Sequence, residues 1–268
     1  MSRRAMSLKA KIRNLAKQKD MSAQVVLQNY MFERFLERLS KSGYKDKFIL
    51  KGGMLVAAIV GIDNRATMDM DATIKNYPLN AESLLIAITD ICSVVIDDNV
   101  EFSILGIEPI REDDAYGGFR VNIQADYDTI ITPIQIDITT GDIITPSEIL
   151  YSFKKIFDEG TIFVWAYNIE TVLAEKYETI LRRGEFSTRP RDFYDIYILT
   201  KTQDYNKEIF TVATKKTSAN RGTTHIFDDP KKRIASIESS EELKRQWMKY
   251  TNNYRYAEDI SFEDVIEH

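Results

Sequence analysis

One cysteine, two histidines, six prolines and eleven glycines are all that this 268-residue chain holds of those types. The single thiol, Cys92, excludes an internal disulfide and fits a reducing compartment. It stands in the apolar run Ile91-Cys-Ser-Val-Val-Ile96 and reads as a small buried hydrophobe. His225 and His268 are too few and too far apart for structural zinc or a histidine triad. Any bound metal is therefore expected to be a hard cation held by oxygen. The scarcity of glycine and proline argues against long disordered linkers. The longest apolar run, Met54 to Val60, is too short to span a bilayer. The stretch from Met1 to Asp20 is basic and lacks the apolar segment of a signal peptide. The expectation is a cytoplasmic protein with no membrane partner.

What is present suits a soluble globular chain of one large domain or two modest ones. The overall charge of −5 hides a strong asymmetry. Residues 1–51 carry 13 Lys and Arg against 4 Asp and Glu, residues 52–150 carry 4 against 17, and residues 151–268 carry 19 against 20. A basic flank beside an acidic middle suits an enzyme that docks a polyanion and chelates a cation. Solvated helix faces that happen to be basic are the plainer alternative for the first block.

The periodicity predicts helices over 7–19 and 22–42, with Ser22 as N-cap of the second. A short strand, Phe48-Ile-Leu50, enters a turn at Lys51-Gly-Gly53, and Met54 to Val60 reads as a buried helix. Thr67 to Ile74 reads as a strand, and Leu79 to Ile91 as a helix capped by Asn80. Three β-rich stretches follow at 100–110, 117–127 and 130–139, with a turn at Gly117-Gly118. Beyond Val164 the pattern is mostly helical, over Ile169 to Arg183, Asp192 to Thr200, Asn206 to Lys216 and Glu241 to Tyr254. The expected architecture is α/β (α+β), a mixed sheet followed by a mainly helical C-terminal part, with the change near residue 165.

The chemistry concentrates between residues 48 and 71. A Gly-Gly turn can bring bare backbone N–H groups up to phosphate oxygens. Asp69 and Asp71 alternate along the predicted strand, so both carboxylates point to one face. Two carboxylates on one face can hold Mg²⁺ against a nucleoside triphosphate. A D-x-D pair alone means little among 22 aspartates, and Asp126-Tyr-Asp128 is a second one, read as a solvated strand end. The order strand, Gly-Gly, helix, loop, D-x-D strand and a later strand bearing Asp137 is what raises the first pair. At ~5 Å and an effective dielectric of ~20, each like-charge pair costs roughly 3 kcal/mol. A divalent cation offsets that repulsion, so Asp69, Asp71 and Asp137 are the expected metal ligands, with Asp137 also activating an acceptor hydroxyl. Surface carboxylates, and a turn aspartate in the case of Asp137, are the alternatives. Further on, Lys176 interrupts an apolar helical stripe, and Asp192 and Asp195 share one face of the helix opened by Arg189-Pro-Arg. Asp192 is placed to cap that helix or to orient a nearby lysine.

Leu50-Lys-Gly-Gly53, Arg65-x-Thr-x-Asp-x-Asp71, Ile136-Asp-Ile138, Leu173-Ala-Glu-Lys176 and Arg191-Asp-Phe-Tyr-Asp195, in this order, resemble the AbiEii/AbiGii toxin family of nucleotidyltransferases. The resemblance covers roughly residues 45–200. It implies a polymerase-β-like nucleotidyltransferase domain over 1–165 and a helical domain over 166–268 that completes the active site. It implies a toxin of an abortive-infection type IV system, encoded beside an antitoxin that forms no stable direct complex with it. It implies transfer of a nucleotide from an NTP to RNA, at the 3′ acceptor end of tRNA, with Mg²⁺ or Mn²⁺ as cofactor. Carried over by position, Lys51, Gly52, Gly53, Arg65 and Thr67 bind the nucleotide, Asp69 and Asp71 bind metal, and Lys176 and Asp192 form a second catalytic pair. The small hydroxyl residue usual after the glycines is missing, since Gly53 and Met54 stand in its place. The basic stretches Lys9–Lys19, Lys154-Lys155, Arg182-Arg183 and Lys231-Lys232-Arg233 are candidates for RNA backbone contact. Nucleotide transfer to a protein or small molecule, and a non-catalytic GTP-binding module, are the competing functions.

Overall fold

The computed structural model describes residues 2–110 and 117–268. The chain divides into two compact units, one made of residues up to Gly141 with Glu148–Ala166, the other of Asp142–Ser147 with Tyr167–His268.

The first unit runs α1 (Arg3–Gln18), α2 (Ala23–Lys41), β1 (Phe48–Lys51), α3 (Gly52–Val60), β2 (Met70–Ile74), α4 (Ala81–Cys92), β3 (Glu101–Ile110), β4 (Gly118–Tyr127), β5 (Ile130–Thr140), β6 (Ile149–Lys154) and β7 (Thr161–Ala166). The strands form one mixed sheet in the order β3-β4-β5-β2-β1-β7-β6. Strand β2 runs antiparallel to β1 and parallel to β5, and β1 runs parallel to β7. Ser22 caps α2 by accepting from the Gln24 N–H, and Asn80 and Ser83 close a capping box on α4. Phe32, Phe35, Leu36, Leu55, Ile88, Ile123, Ile136 and Ile138 fill the core. Strand β5 alternates buried and exposed side chains along most of its length, as a sheet with one covered face requires. A two-residue turn at Asp128-Thr129, with Asp128 at φ 54°, fixes the register of β4 against β5.

The second unit holds α5 (Ile169–Arg183), α6 (Pro190–Thr202), α7 (Lys207–Asn220), α8 (Pro230–Glu238), α9 (Glu241–Asn253) and α10 (Phe262–Glu267). Leu181, Tyr194, Trp247, Tyr250 and Ala257 make its core. The segment 142–147 belongs here because Asn168 ties it down. Its Nδ2 donates to the carbonyls of Thr145 (2.9 Å) and Ser147 (2.8 Å).

Several local expectations need correction. The glycine pair is counted within α3 as its first two residues, with Gly52 at φ 65° making the bend out of β1. Strand β2 starts at Met70, so Asp69 lies just outside it. Gly118 opens β4, and residues 111–116 before the expected Gly117-Gly118 turn lie outside the described residues. Strands β6 and β7 and helices α8 and α10 were not foreseen. Strands β6 and β7 escape pattern reading because they are apolar on both faces. Ile162 and Val164 are buried, while Phe163, Leu150 and Ile149 are exposed. Asp128 is the exposed strand end that was expected, and it also accepts the backbone N–H of Ser2 at 3.0 Å, at the start of α1.

Candidate active site

Strand register assembles a row of charges. Lys51 on β1 pairs with Asp71 on β2, and Asp71 pairs with Asp137 on β5. Asp137 pairs with Arg120 on β4, and Arg120 with Glu108 on β3. Residues paired in register stand on the same face of a sheet. Five ionisable side chains thus cross five strands in one line, and the signs alternate except where Asp71 meets Asp137. Arg120 grips Asp137 with two bonds, Nε to Oδ1 and Nη2 to Oδ2, each 2.8 Å. Its guanidinium is pushed further toward the charged form by that carboxylate. Burial raises the Asp71 carboxyl above the ordinary range; the charges of Asp137 and Asp69 push the same way, while Lys51 and the Gly53 N–H oppose.

The glycines make room for this row. Gly52 has φ +65°, and a Cβ there would lie 2.0 Å from Asp71 Oδ2. A Cβ on Gly53 would lie 2.8 Å from Arg65 Nη2 and 3.0 Å from the Thr67 hydroxyl. The Gly53 N–H donates to Asp71 Oδ2 at 3.4 Å, so the positive end of α3 faces this carboxylate. Arg65 and Thr67 are both buried. Arg65 Nη1 donates to the Ala66 carbonyl at 2.6 Å, and the Thr67 hydroxyl to the Asp69 carbonyl at 3.2 Å. Both brace the loop that presents Asp69. Helix α2 braces it too, with Asn29 Nδ2 donating to the Thr67 carbonyl (2.9 Å) and Gln28 Nε2 to the Met68 carbonyl (2.8 Å).

The structure therefore brings Lys51, Gly52, Gly53, Arg65, Thr67, Asp69, Asp71 and Asp137 together in the first unit. Sequence reasoning missed Arg120, Glu108, Gln28 and Asn29. Counting outward from the Asp128-Thr129 turn would have placed Arg120 opposite Asp137, since both flanking strands had been identified. A ladder of amides continues beside the charges, Gln135 Nε2 to Asn122 Oδ1 at 2.8 Å and Asn122 Nδ2 to Glu108 Oε1 at 3.1 Å. It lines a cleft of about 610 Å³ that also takes in Asp69 and Gln28.

The donor set suits a hard divalent cation, because it offers carboxylate oxygens and two like charges placed opposite each other. Among the described residues, however, no group of three or more His, Cys, Asp or Glu side chains forms a ready-made metal cage. Two observations account for that. Asp137 has both oxygens engaged by Arg120, and Asp69 is exposed in the loop before β2.

Lys176 and Asp192 belong to the second unit, where they meet. Lys176 Nζ lies 2.8 Å from Asp192 Oδ1 and 2.7 Å from Asp195 Oδ2. Asp195 is fully buried, so this is not a surface ion pair. Asp192 is the lysine's partner rather than a cap, since the N-cap of α6 is Arg189 and makes no side-chain bond. Two residues along α5, buried Glu178 receives Arg221 at 2.6 Å, Arg182 at 3.1 Å and the Thr223 hydroxyl at 2.9 Å. Neither side of that network was foreseen.

No curated protein matches the chain significantly in sequence. Among solved structures, the nucleotidyltransferase toxin MenT4 from Mycobacterium tuberculosis H37Rv is similar over 96% of this chain and 91% of its own, at 13% identity and a TM-score of 0.61. JHP933 from Helicobacter pylori aligns over 89% of this chain and 99% of its own, at 14% identity and a TM-score of 0.47. The first likeness establishes the fold. A family model described as the nucleotidyl transferase AbiEii toxin of type IV toxin–antitoxin systems matches residues 34–268. Matched from the middle of α2 to its last residue, the chain belongs to the AbiEii nucleotidyltransferase toxin family.

Proposed function

We propose that this toxin transfers a nucleoside monophosphate from an NTP to the 3′ acceptor end of tRNA, with Mg²⁺ (or Mn²⁺) bound by Asp69, Asp71 and Asp137. The observation that carries the reading is Asp71 standing opposite Asp137 at the start of α3, beside a tight glycine pair. Arg120 and Lys51 offset part of this crowding of like charge, and a divalent cation would offset what is left at Asp71. When bound, the metal supplies charge neutralisation at the triphosphate and lowers the barrier to displacement. The 3′-hydroxyl oxygen attacks the α-phosphorus, the bond from the α-phosphorus to the β-phosphate oxygen breaks, and pyrophosphate leaves. Asp137 takes the hydroxyl proton. Lys51 offsets triphosphate charge, Gly52 and Gly53 let the phosphates approach the backbone, and Arg65 and Thr67 keep the loop in place. Lys176 neutralises phosphate charge and Asp192 orients it. Capping the acceptor end blocks aminoacylation and translation, and phage infection is aborted. The toxin works in the cytoplasm, beside an antitoxin encoded nearby that makes no stable complex with it.

The test is incubation with each α-labelled NTP, Mg²⁺ and total RNA. Label in tRNA is the expected result. Label confined to protein or a small molecule removes the tRNA acceptor. No label with any NTP, from folded protein, removes transfer and leaves a nucleotide-binding module.

A further inference from the structure

Helix α1 lies outside residues 34–268, and it is cationic without compensation. Arg3, Arg4, Lys9, Lys11, Arg13 and Lys17 stand on its 16 residues, which include no acid. Elsewhere the cations of this unit are commonly paired: Arg38 with Asp98, Lys75 with Glu148, Arg120 with Asp137. Among the described residues, Arg3, Lys9, Lys11, Arg13 and Lys17 form no ion pair. The apolar face of α1 is already spent, with Ala5, Leu8, Ile12 and Ala16 buried against Val26 and Ile130. Met6 is its one large exposed hydrophobic side chain, so α1 has no apolar stripe left to insert into a lipid surface.

Beside the helix is a cleft of about 280 Å³ with Arg4, Lys11, Tyr30, Arg34, Tyr127 and Phe157 among its lining residues. The Tyr30 and Phe157 rings lie 5.4 Å apart, Lys11 Nζ sits 5.9 Å from the Phe157 ring, and the Arg34 guanidinium 5.3 Å from Tyr30. Two acids share the cleft, and both are engaged. Glu33 is paired with Arg34, and Asp158 is 3.8 Å from Lys155. Half-buried rings flanked by cations form a platform on which an unpaired base can stack.

We infer that α1 and this cleft are a docking surface for RNA, with the helix cations on the phosphate backbone and the Tyr30–Phe157 rings receiving a base. The inference deepens the tRNA reading and rests on it. Binding of tRNA is measured by filter retention across a salt series, without NTP. The comparison is wild type against Lys11→Gln/Arg13→Gln/Lys17→Gln, whose positions are all exposed. Loss of three phosphate contacts is expected to weaken binding roughly 10- to 100-fold at ~0.15 M salt and to flatten the log–log salt slope by about 2 to 3. Lys11→Arg/Lys17→Arg keeps the charge and is expected to bind as wild type, which separates charge from packing. An unchanged slope in the triple variant overturns the docking surface even if wild type labels tRNA. Wild type that neither binds nor labels RNA overturns both readings. Binding with an α1-dependent slope but no label in RNA leaves docking intact and removes the transfer reading. Retention on phosphatidylserine vesicles in place of RNA overturns the inference and reassigns the face to lipid.

Discussion

Asp71 carries the sharpest conflict in the chain: a sunken carboxylate whose neighbours Asp69 and Asp137 repel it. Asp71→Ala is expected to cut nucleotide transfer by about 10³-fold or more, as loss of a group that positions charge in a transition state does; toxicity in cells should vanish with it. Arg120 is the internal stand-in for a cation at Asp137, gripping both oxygens while itself partly exposed. Arg120→Gln is expected to tighten Mn²⁺ binding to nucleotide-free protein about twofold to fivefold, the range that breaking one half-exposed ion pair allows. Electron paramagnetic resonance of free Mn²⁺ reads this directly, and unchanged affinity would contradict the stand-in role. Cys92 lies at the other extreme. Cys92, expected to be a buried hydrophobe, is half-buried, and burial pushes its thiol up to about 12, so Ellman's reagent should react more slowly with the folded than with the unfolded protein. At this scale Asp71 and Asp137 could be nominated from residue type and strand position, whereas the alternation invoked for Asp69 does not hold, because Asp69 precedes β2. Arg120 was not, because its role depends on a register between strands. The glycines were misjudged for a similar reason. Their neighbours Asp71, Arg65 and Thr67 come from later in the chain, and only the folded backbone shows that a side chain at 52 or 53 would collide with them.

Elements set the site by their ends. Strand β1 stops where α3 starts, and the left-handed Gly52 is the hinge between them. Gly52→Ala combines an unfavourable dihedral, about 1–3 kcal/mol, with a 2.0 Å approach to Asp71. The melting temperature is expected to fall by about 5 °C or more; a fall under 1 °C in thermal denaturation would show that the hinge relaxes freely. Helix α2 contributes through Gln28 and Asn29, whose amides hold the backbone just before β2. Asn29→Leu is expected to leave the fold standing, weaken that brace and lower transfer more than stability. Long periodic helices such as α2 and α5 announced themselves, since one apolar stripe each is enough. Strands β6 and β7 did not, because apolar residues on both faces erase the alternation. Helix α10, six residues long, is shorter than any window in which period can be read.

For the whole molecule, composition predicted a hard-cation, oxygen-donor chemistry and a basic flank next to an acidic middle, and the fold gives those blocks separate addresses. The basic block becomes α1, α2 and β1, whose Lys51 joins the charge row, and the acidic block supplies Asp71, Asp137 and Glu108 to that row. The boundary between the two units was harder to place from sequence, because 142–147 leaves its chain neighbours to be held by Asn168. Such an exchange follows from hydrogen bonding, which hydrophobic pattern does not encode. The claim on which everything else rests is that the acids meeting across β2 and β5 are the chemical centre of a nucleotidyltransferase. Single-turnover transfer of α-labelled NTP to tRNA, compared among wild type, Asp71→Ala, Asp137→Ala and Asp126→Ala, tests it. Incorporation should disappear in the first two variants and stay within about twofold of wild type in the third, whose aspartate stands near the far end of β4 from Arg120. Wild-type incorporation by folded Asp71→Ala protein would contradict the claim.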